Sequence, residues 1–194
     1  MRIVLVHGYL ANAAVLWPLA RRLRRLGHQV ETYAYPSHRG TLGAHAEGLA
    51  TQLRKGDDPV AVVAHSLGGL LTHHAMTLAP DANISHRIFV ATPHRGSKFA
   101  RRGRKSPIAR LLSPAVRMAS HGYPMPASEA LTGVVIGTKD RMIRPEEADL
   151  AAAHARLELP FGHNELLMRP NLAHALHRFL TDGHFEAPLP RFRP

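Results

Sequence analysis

The chain has 194 residues, 45% of them hydrophobic, with 25 Lys+Arg against 14 Asp+Glu and no cysteine. That length suits a single domain that buries roughly 70% of its unfolded surface, and the lack of cysteine excludes disulfides, zinc–thiolate and iron–sulfur sites and thiol nucleophiles. The formal charge of +11 invites a nucleic-acid or anionic-membrane partner, but 21 of the 25 basic residues are Arg and aromatic residues reach only 6%, so a base-stacking surface is poorly supplied and no nucleic-acid partner is expected.

Arg2 to Val6 is a β-branched run of strand length, as expected for a strand buried on both faces. His7-Gly8 breaks it with no signal-peptide cleavage site behind, so Met1 reads as the start of the folded domain and the cytoplasm as the default location. No apolar run reaches the ~18 residues of a membrane-spanning helix. From Asn12 to Leu26 a helical stripe of Val15, Leu16, Leu19, Leu23 and Leu26 leaves the Arg residues outside it, and Gly27 closes the helix. A second strand spans Gln29 to Tyr35, and a weaker helix about Thr41 to Lys55. A third strand spans Val60 to Ala64, followed by a helix from Leu67 to Ala79 and a fourth strand from Arg87 to Ala91.

Between Thr92 and Ala130 no strand is expected; Pro107 to Ser120 reads as two short helices broken at Pro114. Arg95 to Arg110 carries seven basic residues and no acid. A fifth strand (Leu131–Ile136), a helix (Pro145–His154), a sixth strand (Arg156–Leu159) and an amphipathic helix (Pro170–Asp182) follow, then a Pro-rich tail over 183–194. Strands and helices alternate, so the fold class is α/β: one domain over 1–182, with about six parallel strands and helices on both faces. In such sheets chemistry sits at the carboxyl ends of the strands.

The third strand ends in Ala64-His65-Ser66-Leu67-Gly68. A serine on a sharp strand-to-helix turn needs small residues two before and two after it, which Ala64 and Gly68 supply. An ordinary helix N-cap serine is the competing reading. A serine hydroxyl needs a base, and the base an orienting carboxylate. Asp140 follows the fifth strand and His163 the sixth, both at the edge that carries Ser66. Glu146 and Asp149 compete for the acid role but fall inside the expected helix. Of the other histidines, His65 and His7 read as supports of their turns, and the His73–His177 and His74–His174 pairs stay open as metal pairs, without any metal-site spacing to favour them. An oxyanion needs two converging donors. The Leu67 N–H supplies one, and Tyr9, with Leu10 as the near alternative, supplies the other from the loop His7-Gly8-Tyr9-Leu10.

Val6-His7-Gly8, His65-Ser66-Leu67-Gly68-Gly69 and Thr92-Pro93-His94-Arg95-Gly96-Ser97 resemble the VHG, HSLGG and TPHxGS motifs of the lipase/esterase branch of the α/β-hydrolase superfamily. The likeness runs to about Leu180, with Ala64 in place of the usual glycine. It implies a minimal α/β-hydrolase fold with strand order 2-1-3-4-5-6, the triad Ser66, Asp140 and His163, and no metal or organic cofactor. It further implies hydrolysis of a small-molecule ester, with lipids among the candidate substrates. Thioesterase, amidase and acyltransferase chemistry, or an idle site on an anionic surface, are the alternatives. Leu10, Trp17, Tyr35 and the 107–125 stretch are candidates to line the substrate pocket, and His94 to touch substrate. Residues 92–130 would form a small flap or connecting helices. The basic segments 95–110 and 191–193 suit peripheral contact with an anionic membrane.

Overall fold

The computed structural model describes residues 1–9, 11–103 and 121–185. Six strands form one sheet, β1 (Arg2–Val6), β2 (Gln29–Tyr33), β3 (Val60–His65), β4 (Ile84–Val90), β5 (Leu131–Gly137) and β6 (Ala155–Leu159). Their order is β2-β1-β3-β4-β5-β6 and every pairing is parallel. Parallel pairing needs crossovers, and the helices supply them. These are α1 (Trp17–Arg25), α2 (Leu42–Leu53), α3 (Leu67–Leu78), α4 (Lys98–Gly103), α5 (Pro145–Ala148), α6 (Glu165–Met168) and α7 (Pro170–Asp182). No described helix is long and apolar enough to cross a membrane.

Side-chain alternation splits the core into two layers. Ile3, Leu5, Val63, Ile88 and Val135 point to one face, where Leu19 and Leu23 of α1 and Leu176 and Phe179 of α7 cover them. Val4, Val6, Val62, Ala64 and Phe89 point to the other, beneath Leu49 and Leu53 of α2 and Leu70 and Leu71 of α3. All six residues of β3 are buried. The central strands are therefore fixed from both faces, and so are the loops at their ends.

Several element boundaries differ from the sequence reading. The helix expected from Asn12 is split into a 3-10 turn (Ala13–Leu16) and α1. Pro18 has no N–H to continue the ladder, and Asn12 caps the turn by accepting from Ala14 N–H at 2.9 Å. The helix expected over 145–154 stops at Ala148, because Asp149 turns extended (φ −67°, ψ 138°). Its carboxylate pairs with Arg156 on β6, and Leu150 packs into the core instead of continuing an exposed helix. β2 ends at Tyr33 rather than Tyr35, and β4 begins at Ile84 rather than Arg87. Helix α4 falls within the 92–130 stretch read as a flap or connecting helices, ahead of the helices placed at 107–120, and α6 was not expected. The helices read over Pro107–Ser120, most of the basic run after Gly103, and the tail from Glu186 lie outside the described residues.

Candidate active site

Ser66 stands between β3 and α3 with φ 55° and ψ −126°. Such a conformation costs a non-glycine residue about 1–3 kcal/mol and persists only where its surroundings impose it. Those surroundings are two glycines and a strand. A Cβ on Gly68 would stand 2.5 Å from the His7 carbonyl oxygen and 2.7 Å from that of Val6. A Cβ on Gly69 would overlap the Thr92 side chain. The helix start can thus press against β1 and the end of β4. The Ser66 N–H donates to the Val90 carbonyl at 2.9 Å. Its hydroxyl makes no capping bond, so the N-cap reading does not account for this serine. Ser66 is half-buried between the buried His65 and Leu67.

Asp140 and His163 are brought together. His163 Nδ1 donates to Asp140 Oδ2 at 2.6 Å. Asp140 Oδ1 accepts from the N–H groups of Met142 (2.8 Å) and Ile143 (2.9 Å), so the tight turn after β5 holds the carboxylate rigidly. Both residues are buried. With Nδ1 engaged, His163 Nε2 is the free ring nitrogen. The His163 backbone is tied to the elbow, since His65 Nε2 donates to its carbonyl at 3.2 Å and the two rings lie 4.6 Å apart. No hydrogen bond between Ser66 Oγ and His163 is formed in this structure, and such bonds often close only when substrate is bound.

A serine hydrolase family model matches residues 3–164. The chain belongs to the serine hydrolase family. No curated protein sequence matches it. Its fold is that of the α/β hydrolases. A Bacillus licheniformis lipase superposes with a TM-score of 0.74 at 18% identity, covering 92% of this chain and 90% of the lipase. A pyrethroid hydrolase from Sphingobium faniae gives 0.71 at 16% identity, covering 94% and 98%. A mouse α/β hydrolase domain-containing protein gives 0.68 at 16%, covering 93% and 88%.

In this serine hydrolase the loop after β1 lies directly against the elbow. A Cβ on Gly8 would stand 2.9 Å from Ser66 Cβ and 3.4 Å from its Oγ, so only glycine lets the backbone pass this close. His7 fixes the loop. Its Nδ1 donates to the Gly8 carbonyl (2.9 Å) and its Nε2 accepts from the Tyr35 N–H (3.4 Å). Tyr35 stacks on the His7 ring at 4.4 Å, and its hydroxyl donates to the His7 carbonyl (2.9 Å). This brace was not anticipated; the sequence places Tyr35 near the loop but does not reveal the bond. Tyr9 is half-buried against the α2/α3 side of the core. Leu10 lies outside the described residues.

The rival acids are occupied elsewhere. Glu146 is exposed and faces Lys98 and Arg144, each at 3.9 Å, and Asp149 pairs with Arg156. The two open metal pairs are not formed. His177 bonds His28 (2.9 Å), His73 stacks on His94 and His74 on Tyr123. Among the described residues no group of three or more acids and histidines could hold a metal. Of the residues suggested to meet substrate, Trp17 is 58% exposed with Arg21 over its ring. His94 turns inward, between His73 and Phe89, and Gly122 (φ 77°) lets the chain cross directly over its carbonyl. A cavity of about 210 Å³ opens beside the β1 loop, lined by His7, Asn12, Ala13, Ala34, Tyr35 and Pro36. A larger hollow, about 650 Å³, lies between the carboxyl end of α3 and residues 126–130, at the sheet edge opposite Ser66.

Burial sets the charge state of the inward histidines. It lowers the pKa of His65 to about 3, with the neighbouring His163 and His7 lowering it further. His94 falls to about 3 and His73 to about 4, again chiefly through burial. All three are neutral in the folded protein at neutral pH, so His65 supports the elbow without competing as a cation. The unfolded chain takes up protons below about pH 6.5 where the folded one does not. Stability is therefore fully present above that pH and falls as the pH drops towards 4. Each histidine contributes a slope of up to about 1.4 kcal/mol per pH unit in that window. Urea unfolding at a series of pH values should show the midpoint falling steeply from about pH 6 downwards; a flat profile to pH 4.5 would contradict this assignment.

Proposed function

We propose that this serine hydrolase cleaves carboxylic esters through an acyl-enzyme on Ser66, with His163 as general base and Asp140 as its orienting acid. The observation that carries the reading is the Asp140–His163 hydrogen bond of 2.6 Å at the sheet edge where Ser66 occupies its strained turn. Asp140 keeps the proton of His163 on Nδ1, so that Nε2 takes the Ser66 proton as Oγ attacks the acyl carbon. The carbonyl π electrons move onto oxygen. That oxyanion is received by the N–H groups of Leu67 and Tyr9. The Leu67 N–H opens the first turn of α3, where the helix dipole favours negative charge, and the close approach of Gly8 to Ser66 supports the next peptide, that of Tyr9, as the second donor. His163 then gives its proton to the leaving alkoxide. A water, deprotonated by the same nitrogen, releases the acid and restores Ser66.

The names of two fold neighbours, a lipase and a pyrethroid hydrolase, favour ester hydrolysis over a binding role. The decisive test is a fluorophosphonate probe followed by intact and peptide mass analysis. One adduct on the peptide containing Ser66 is expected, together with turnover of p-nitrophenyl esters from acetate to palmitate. Absence of any adduct overturns the reading. Turnover of thioesters or amides with no turnover of oxygen esters moves the substrate class.

A further inference from the structure

The Asp140 turn belongs to a rigid platform. Its knot is Glu147, which is 4% exposed. Glu147 Oε1 accepts from the Lys98 N–H (2.7 Å) and Oε2 from the Arg144 N–H (3.0 Å), while its carbonyl accepts from the Arg95 N–H (3.3 Å). The Ser97 hydroxyl donates to the Met142 carbonyl (3.1 Å). These bonds tie the segment after β4, helix α4, the turn after β5 and helix α5 to one another.

Two large apolar side chains stand out from this body into solvent, Phe99 (57% exposed) and Met142 (39%). On the same segments Arg95, Lys98, Arg102, Lys139, Arg141 and Arg144 are all exposed. The acids on the same segments are Asp140 and Glu147, both buried, and Glu146, which is shared between Lys98 and Arg144. The face thus combines a strong positive excess with two exposed apolar side chains.

We infer that this face docks the protein on an anionic lipid surface, with Phe99 and Met142 entering the boundary between headgroups and acyl chains and the cations meeting lipid phosphates. Nucleic acid or an acidic protein would satisfy the cations but would give a protruding methionine among arginines no apolar phase. A lipid surface uses both features: each surface cation strengthens binding about fivefold, and transfer of a phenylalanine ring about tenfold or more. Because Met142 and Asp140 share one turn, docking would also bring the mouth of the site to the lipid. That consequence rests on the proposed esterase activity, whereas the binding itself does not.

The experiment is sedimentation of the full chain with phosphatidylcholine vesicles, with and without about 30% phosphatidylglycerol, at low and high salt. Binding should be at least about tenfold tighter to the anionic vesicles and weaken about tenfold or more between 0.05 and 0.5 M salt. Phe99→Ala should weaken it about tenfold and Arg102→Glu by a similar factor or more, while both keep wild-type rates on a water-soluble ester. Equal binding to neutral and anionic vesicles overturns the inference. So does wild-type binding by Phe99→Ala alongside loss in Arg102→Glu, which is the pattern of a purely electrostatic polyanion contact. The assay is repeated on Ser66→Ala, whose binding should match wild type. Failure to bind would leave soluble-ester hydrolysis standing, and failure to hydrolyse would leave binding standing.

Discussion

Ser66→Ala should lower kcat for p-nitrophenyl butyrate by about 10⁶-fold and abolish fluorophosphonate labelling, with the fold retained. The size of the loss follows from the roles at the elbow. Without Oγ no acyl-enzyme forms, and His163, still oriented by Asp140, has no serine proton to take. What survives is the rate supplied by substrate binding and the two proposed backbone donors, roughly 10³–10⁴ over water. The hydroxyl makes no capping bond, so its removal leaves no partner unsatisfied in the folded chain. Circular dichroism and thermal melting should therefore match wild type. A variant that kept more than a few per cent of the activity would place the nucleophile elsewhere.

Asp140→Asn should cost about 10⁴-fold in kcat for a different reason. Asp140 Oδ1 already accepts two backbone N–H groups, from Met142 and Ile143. The new amide must keep its oxygen there, because an NH₂ group facing two N–H donors would leave all three without acceptors. Its NH₂ is then forced towards His163 Nδ1, which must become an acceptor. The imidazole proton moves to Nε2, the nitrogen meant to receive the proton of Ser66. The variant has nearly native geometry and the wrong tautomer. Kinetics should show the loss in kcat with little change in KM, and an imidazole NMR measurement should show the proton on Nε2. If the rate fell by less than about tenfold, Asp140 would not be orienting the base.

Much of this arrangement was legible in the residues. The parallel α/β class followed from the alternation of apolar runs with helical stripes, whereas the strand order came from the family resemblance. The elbow was legible because a serine on a sharp strand-to-helix turn needs small residues two before and two after it, here Ala64 and Gly68. The turns carrying Asp140 and His163 were visible as polar residues directly after apolar strands. What was hidden depends on contacts distant in sequence. Pro145 and the alanines after it suggest a longer helix than forms, since they carry no sign that Asp149 meets Arg156. The bond from Tyr35 to the His7 carbonyl joins residues 28 apart, and the periodicity of either segment says nothing of it. Glu147 follows Arg144 at the spacing of a capping box, a local signal, but its second bond to Lys98 arises only from tertiary packing. The motif around His94 fits a substrate contact and a structural turn equally, and only the tertiary packing shows its ring between His73 and Phe89.

The backbone angle at Ser66 sets two demands that no single amino acid meets. Glycine would adopt φ 55° without cost but brings no hydroxyl. Threonine would bring one but adds a branched methyl where φ is positive and Gly8 leaves no room. Selection for a sturdier protein and selection for a working one therefore pull this position in opposite directions. A lineage released from the need for catalysis would be free to relax here first, so the residue found at position 66 in any relative of this chain is a compact record of which pressure prevailed.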